Sequence, residues 1–417
     1  MNKINGLKRE IKFLARDRII WLWLALVFCL SSAAVGFGLA EIAVQNKTIE
    51  QLIQADKTDR ALQHSKKSDW GSAAYYGLHL TYDAPSDFAF AALGMRDTQP
   101  WKHRVKMLAL EGQVYERDVG NPSVAILGRF DFAFFAAFVF PLVLMVLLYD
   151  LRAHERSAGR INLIEATVAQ PRLFWLQRAS IRTLAVLLCL IVPLIIGGLI
   201  AEVSALKLVL ACLAVIAYGV FWGLVCFWFS AWRKQGQLIL ISLIALWVMT
   251  AVLIPSAARL AIDRAVPVPD GADILMLQRE TVNDAWDLPR KMTMDAFFER
   301  HPQWADYQPV ESSFEWQWYY AFQQVGDQRA EPLAMAYREG RKRRAELATW
   351  LSVFAPPSLL EQTLQALANT DAHASLEYEE RVRAFHAELR AFYYPLFFRN
   401  VAFDRELLED LPNFDVH

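Results

Sequence analysis

Hydrophobic and polar positions fall into blocks along this chain. Five stretches are apolar over membrane-scale lengths: IIWLWLALVFCLSSAAVGFGLA (19–40), FDFAFFAAFVFPLVLMVLLY (130–149), TLAVLLCLIVPLIIGGLIA (183–201), LVLACLAVIAYGVFWGLVCFWFSAW (208–232) and LILISLIALWVMTAVLI (238–254). Roughly 20 apolar residues suffice for a helix to cross a bilayer, so each stretch is read as a transmembrane helix, the fifth ending at Pro255. The first is longer than a signal-peptide core and further spans follow it, so it is expected to stay as an anchor. In the third, Pro193 with Gly197 and Gly198 marks a hinge or a close-packing site.

The intervening segments have their own periods. In residues 1–18, Leu7, Ile11 and Leu14 recur at helical spacing among basic residues, the pattern of an amphipathic helix lying on a membrane surface. Residues 41–129 begin with a helical stripe (Ile42, Ile49, Leu52, Ile53, Leu62). An aromatic-, Gly- and Pro-rich run follows, predicting turns and short helices, with a turn at Asn121-Pro122. After residue 255 the pattern predicts amphipathic helices over 330–353, from Pro356-Pro357 onward, and from an N-cap at Asp371 to just before Pro395. The stretch AFYYPLFFRNVAF (391–403) is too short for a sixth span and is expected to form an interfacial aromatic patch. The expected fold class is therefore mainly α: a polytopic membrane protein with about five transmembrane helices and a helical extracytoplasmic domain built from segments 41–129 and 256–417.

Charge orients the spans. The N-terminal segment carries six Lys or Arg residues and the 150–182 loop carries six, while the 202–207 connection has only Lys207. By the positive-inside rule the N-terminus, the 150–182 loop and the 232–237 turn are cytoplasmic, and the 41–129 and 256–417 segments lie on the other side. Arg259 and Arg264 run against that count, but the alternation of spans outweighs them.

Composition agrees with a mixed membrane and aqueous chain: 417 residues, 55% hydrophobic and 21% charged, with a net charge of −1. A near-neutral chain is a poor nucleic-acid binder, because phosphate recognition needs a basic surface. All four cysteines (Cys29, Cys189, Cys212, Cys226) fall in apolar spans, which leaves no disulfide framework and no paired-Cys metal spacing. Walker, HExxH, GxSxG and GxGxxG patterns are all absent. His373 and Glu377 share a helix with His386, but a metal site needs more convergent ligands. His79, His103 and the aromatics around Trp316 are expected to pack inside a folded domain. Asp131 and Glu41 sit near span ends, so no mid-membrane series of ionisable groups points to a secondary transporter.

One segment has a pattern of its own. Between the second and third spans, LRAHERSAGRINLIEATVAQPRLFWLQRASIR is short, charged and helix-prone, and cannot lie in hydrocarbon. Its order of Asp150, Arg152, Glu155, Arg156, Gly159, Arg160, Leu163, Ile164, Pro171 and Arg178 resembles the loop between the second and third spans of type-2 ABC exporter permeases. The basic helix before the first span and the loop after it fit that resemblance. The segments WGSAAYYGLHLTY, FAFAALGMRD and VRAFHAELRAFYYP look like a subgroup with a large external loop and a C-terminal domain of unknown function. Such permeases generally have six spans, one more than is legible here. The resemblance implies a coupling helix that docks on a separate ABC ATPase subunit, with Arg152, Glu155, Arg156, Gly159, Arg160, Leu163 and Ile164 at the contact. It further implies ATP-Mg held in that partner and no cofactor bound directly by this non-enzymatic chain. A second permease subunit and membrane lipid would be the other partners, in a bacterial inner membrane. The alternative from another class is a membrane-anchored extracytoplasmic scaffold or ligand-binding protein.

Overall fold

The computed structural model describes residues 3–115, 130–307 and 314–414, without the side chains of residues 3–8 and 64. The turn expected at Asn121-Pro122 lies outside the described residues. The chain is mostly helical, and five of its helices are long and apolar enough to cross a membrane.

Helix α1 (Lys3–Arg16) ends at Asp17, whose carboxylate accepts the backbone N–H groups of Ile19 at 3.0 Å and Ile20 at 3.3 Å. That N-cap starts α2 (Arg18–Lys66), in which the first span and the polar stripe beyond it form one unbroken helix. Next come α3 (Trp70–Tyr76), an antiparallel hairpin of β1 (His79–Tyr82) and β2 (Lys102–Val105), and α4 (Leu110–Tyr115). The hairpin corrects the expectation of turns and short helices alone. Strands of four residues are too short for alternation to stand out in sequence.

The second span, α5, covers 132–148. Two short helices, α6 (Ala153–Ser157) and α7 (Ile161–Thr167), lead to α8 (Pro171–Ile200), α9 (Ala205–Ser230) and α10 (Gly236–Ala265). The third span thus begins its helix at Pro171 and not at 183, where the charges merely stop. A proline at the first helical position is pre-set for entry. The fifth does not end at Pro255 either. A wide π turn, Met249–Leu253, precedes it, with the Ile254 N–H reaching back to the Met249 carbonyl. The same device stands in α5, where Phe135–Val139 forms a π turn just before Pro141. Widening the turn lets each helix pass a ring that would otherwise collide with the carbonyl four residues earlier.

The remaining helices are α11 (Gly271–Asp284), α12 (Arg290–Arg300), α13 (Trp316–Ser352), α14 (Pro356–Leu367) and α15 (Ala372–Phe398). Helix α13 begins well before 330. The Asp371 carboxylate caps α15 as expected, accepting the Ala374 N–H at 3.0 Å, but the helix runs through Pro395. A proline inside a helix costs about 3 kcal/mol, and burying a large side chain returns about 1.5–3 kcal/mol. Tyr393, Tyr394, Phe397 and Phe398 are all buried beyond or beside that proline, so the helix continues. The aromatics at 393, 394, 397 and 398 are consequently core and not a surface patch, while residues 399–402 are exposed.

Two cores result. One joins the five long helices, and Leu360, Leu364 and Ala368 of the α14 region belong to it. The other draws on both polar segments, joining Trp70, Val105 and Leu110 to Trp318, Phe322, Phe385 and Phe397. Helix α14 is a wedge between the two. It packs on α9 and on both π turns.

Beside that wedge, residues 86–93 enter the first core without forming a long helix. Phe88, Ala89, Phe90, Ala91 and Ala92 are completely buried. Irregular backbone among apolar helices needs internal partners for its polar groups. Asp131 supplies one, accepting the Leu93 N–H at 2.9 Å and the Phe134 N–H at 2.8 Å. The Ala133 N–H donates to the Ala91 carbonyl at 2.9 Å, and the Thr370 hydroxyl donates to Ala92 at 2.8 Å. Space is made by glycine: a Cβ on Gly38 would strike the Phe90 carbonyl, and one on Gly197 would lie 2.6 Å from the Phe90 ring.

This packing separates two glycines of one helix. Gly36 faces open space whereas Gly38 abuts the plug. Gly38→Ala is expected to lower stability by about 1–3 kcal/mol through overpacking. Gly36→Ala should be neutral or stabilising by up to ~1 kcal/mol. Thermal melts of the two detergent-solubilised variants provide the comparison.

Candidate functional site

The 150–170 loop is built on the end of α5. Helix α6 turns at Gly159, whose φ of +69° lies in the left-handed region that favours glycine, and α7 follows. Ile161, Ile164 and Val168 recur along one side of α7 and pack against the core of the long helices. The opposite side presents Asn162, Leu163, Glu165 and Ala166 to solvent, with Leu163 66% exposed. Leu163 is the most exposed large apolar side chain of the loop.

Ion pairs seat it. Arg178, near the start of α8, reaches Glu10 of α1 at 2.9 Å and Glu155 of α6 at 3.8 Å. Glu155 also holds Arg160 at 2.8 Å. One guanidinium thus ties the N-terminal helix, the loop and the third span together. Glu10 is buried, so the tie to Arg178 compensates a carboxylate removed from water. Aromatic faces add to it, with the guanidinium carbons of Arg9 and Arg178 lying 5.1 and 5.2 Å from the Phe174 ring centre.

Two further arginines close helix ends. Arg156 donates to the carbonyls of Trp232 at 2.7 Å and Lys234 at 3.1 Å, just past α9. Arg182 donates to the Leu147 carbonyl at 2.7 Å in the last turn of α5. Arg182 satisfies a carbonyl that the end of α5 leaves without a helical partner, and Arg156 satisfies two in the turn that follows α9. The N-terminal helix, the 150–170 loop and the 232–234 turn therefore gather at one end of the five-helix bundle.

The sequence-derived residues divide on this geometry. Leu163 is open, and Arg160 is exposed while paired to Glu155. Glu155 and Arg156 are engaged inside the chain. Arg152 lies over the rings of Trp175 and Phe227, and Ile164 faces inward. Pro193, Gly197 and Gly198 lie in a continuous helix, with Gly197 against Phe90 and Gly198 against Leu208, a close-packing role. Sequence reading passed over Glu10. Its position three residues from Leu7 and four from Leu14, on the helix side of those apolar residues, was the available signal.

The far end of the bundle holds a different charged group. Glu361 of the wedge α14 has its carboxyl raised to about 7, first by burial and then by the nearby Asp131 carboxylate. Burial likewise raises Asp131, partly offset by the two N–H groups it accepts. On the second core a further network stitches 106–111 to the C-terminal helices. Asp327 pairs with Arg390 and accepts the Leu110 N–H at 2.8 Å, while Glu111 receives Arg383 at 3.0 Å. A chamber of about 300 Å³ beside it is lined by these groups, His301 and His386. Burial holds His386 well below its ordinary value, and its Nε2 lies 3.0 Å from the Lys106 carbonyl. Its charges are spent on one another. His79 is buried, and His103 stacks on Tyr378 with ring centres 5.8 Å apart. Among the described residues no group of three His, Cys, Asp or Glu side chains is placed to share a metal ion.

Two predictions follow from these charges. Arg178→Met removes the closer of the two arginines paired with buried Glu10, leaving Arg9 at 3.5 Å, and is expected to cost about 2 kcal/mol. A double-mutant cycle with Glu10→Gln should recover part of it, read by thermal unfolding and by protease release of the N-terminal helix. For Glu361, the folded state holds a proton that the unfolded carboxyl, near 4.5, gives up earlier. Its contribution is full at low pH and is lost as pH rises through about 7. The melting temperature of Glu361→Gln should therefore fall less than wild type between about pH 5 and pH 8.

Residues 273–417 match a family described as "Domain of unknown function (DUF3526)". No curated protein and no solved structure matches the chain. The match covers the C-terminal third and leaves the five long helices and the loop between the second and third of them without a named counterpart.

Proposed function

We propose that this chain is the membrane-spanning permease subunit of an ATP-driven complex of the type-2 ABC class, in which a separate ATPase subunit binds the 150–170 loop. The observation that carries the reading is the seating of α7. A helix of seven residues turns Ile161 and Ile164 toward the core of the long helices, and its N-cap Arg160 is held by Glu155, which lies 3.8 Å from Arg178 at the start of a span, yet it offers a bare leucine. A force-transmitting contact needs both properties: rigid attachment on one side and an unpaired apolar anchor on the other. The partner would hold ATP-Mg, since this chain has no phosphate-binding loop.

In this reading the end that gathers α1, the loop and the 232–234 turn is cytoplasmic, in agreement with its basic residues. The second core and its C-terminal helices then lie on the extracytoplasmic side of a bacterial inner membrane. Motion of the loop would pass along α5 and α8 to the wedge α14 and the domain above it, driving export or moving that domain. A second permease subunit would meet the exposed apolar face of α9, which carries Leu206, Val209, Leu210 and Leu213. A passive membrane anchor for a scaffold would need neither the seated loop nor the inserted wedge.

Of the seven residues expected at the contact, Leu163 is the one to vary, because Glu155 and Arg156 are engaged within the chain. Leu163→Glu combined with Glu165→Arg should weaken co-purification with the ATPase by about 2 kcal/mol, near 30-fold in affinity. Membrane insertion and melting temperature should stay at wild-type values. Undiminished co-purification of a Walker-type ATPase, or binding of none by the wild-type chain, would overturn the reading.

A further inference from the structure

A second cavity, of about 410 Å³, opens between α10, α13, α14 and α15, within the size range of small-molecule pockets. Ile254, Pro255, Ala258 and Leu351 are among the apolar side chains that line it. Arg259, Arg341 and Arg344 are also on its wall, with Asp263 as an acidic neighbour. Arg344 takes Asp263 at 2.9 Å and Arg341 takes Glu379 at 2.7 Å. The side chain of Arg259 is 85% exposed and reaches Asp263 only at 4.0 Å, so one aspartate faces two arginines.

The position of the cavity matters as much as its lining. Along α10, exposed Val252 and Leu253 give way to the charges of Arg259, Asp263 and Arg264 over about two to three helical turns. On the neighbouring elbow between α13 and α14, Trp350, Val353 and Phe354 stand exposed. Apolar surface with a tryptophan at the border of a charged band is the composition of a membrane interface. The cavity therefore lies where a bilayer lipid could place a chain in an apolar slot and its headgroup at the arginines.

We propose that this cavity binds an anionic phospholipid of the surrounding bilayer, one acyl chain along Ala258 and Leu351 and the acidic headgroup at Arg259. The wedge α14 forms one wall through Ser358 and Gln362, so an occupying lipid would brace the wedge against α10. The proposal rests on the long helices spanning a membrane and is independent of any ATPase partner.

The test uses the full chain in phosphatidylcholine nanodiscs doped with a chain-diazirine phosphatidylglycerol, with labelled peptides mapped by mass spectrometry. Labelling should concentrate on peptides containing 254–263 and 345–358, above the level of the exposed face of α9. A phosphatidylcholine probe of the same chain length should label the cavity peptides severalfold less. Ala258→Trp, which fills the slot, should lower cavity labelling severalfold without changing that of α9, and Ala348→Trp repeats the test from the opposite wall. Arg259→Glu should remove the preference for the anionic probe. Equal labelling by both probes, or cavity labelling unchanged in both tryptophan variants, would overturn the proposal. Labelling of α9 in the same samples keeps that failure distinct from failure to insert in the membrane.

Discussion

Backbone polar groups buried among apolar helices must find partners within the protein, and residues 86–93 set that requirement at its sharpest. Their chain enters the first core with five consecutive residues fully buried, and the hydrogen bonds that anchor it come from the start of α5 and from Ala368 and Thr370, which follow α14. Asp131 starts α5 and holds Leu93, Thr370 follows α14 and holds Ala92, and Ala133 donates to Ala91. At the next turn Lys207, entering α9, reaches Asp87 at 2.6 Å. The plug therefore fixes where α5, α9 and the α14 hairpin stand relative to one another. Gly38 and Gly197 let α2 and α8 close around it.

The wedge depends on that arrangement. Helix α14 comes from a part of the chain that otherwise folds with the second core, yet its leucines enter the first. It contacts α5 and α10 at their π turns, the places where each helix is already widened to pass a proline. A π turn leaves local backbone bonding looser than an α-helix, and such turns are frequent at functional positions. A tilt of either helix would be felt first at α14. At the opposite end, Arg178 of α8 takes Glu10 of the N-terminal helix and Glu155 of the loop, so the bundle is tied at both ends to segments outside the spans.

What could be read from sequence follows from what each feature needs. Membrane-scale apolar runs declare themselves by length, and all five correspond to long helices. Caps that act within three residues, such as Asp371, are equally legible. Helix limits at Pro255 and Pro395 were misplaced because a proline reports only its local cost, whereas the outcome was decided by a widened turn in one case and by four buried aromatics in the other. The plug could not be read at all. FAFAAL is apolar like a short strand or a fragment of span, and its partners lie 38 residues away at Asp131 and 278 away at Thr370.

The candidate site shows the same division at finer scale. The charged loop stood out by its pattern, but charge alone could not distinguish residues that hold the loop from those that face away. Arg156 and Glu155 have the look of surface contacts and prove to be internal fasteners, because the carbonyl ends of α9 and the guanidinium of Arg178 lie within reach. A leucine ordinarily signals a core, and Leu163 is instead the residue left bare. Its neighbours Ile161, Ile164 and Val168 already fill the inward side of so short a helix. An apolar side chain gains nothing from water, and Leu163 is the one of the four that the fold leaves there.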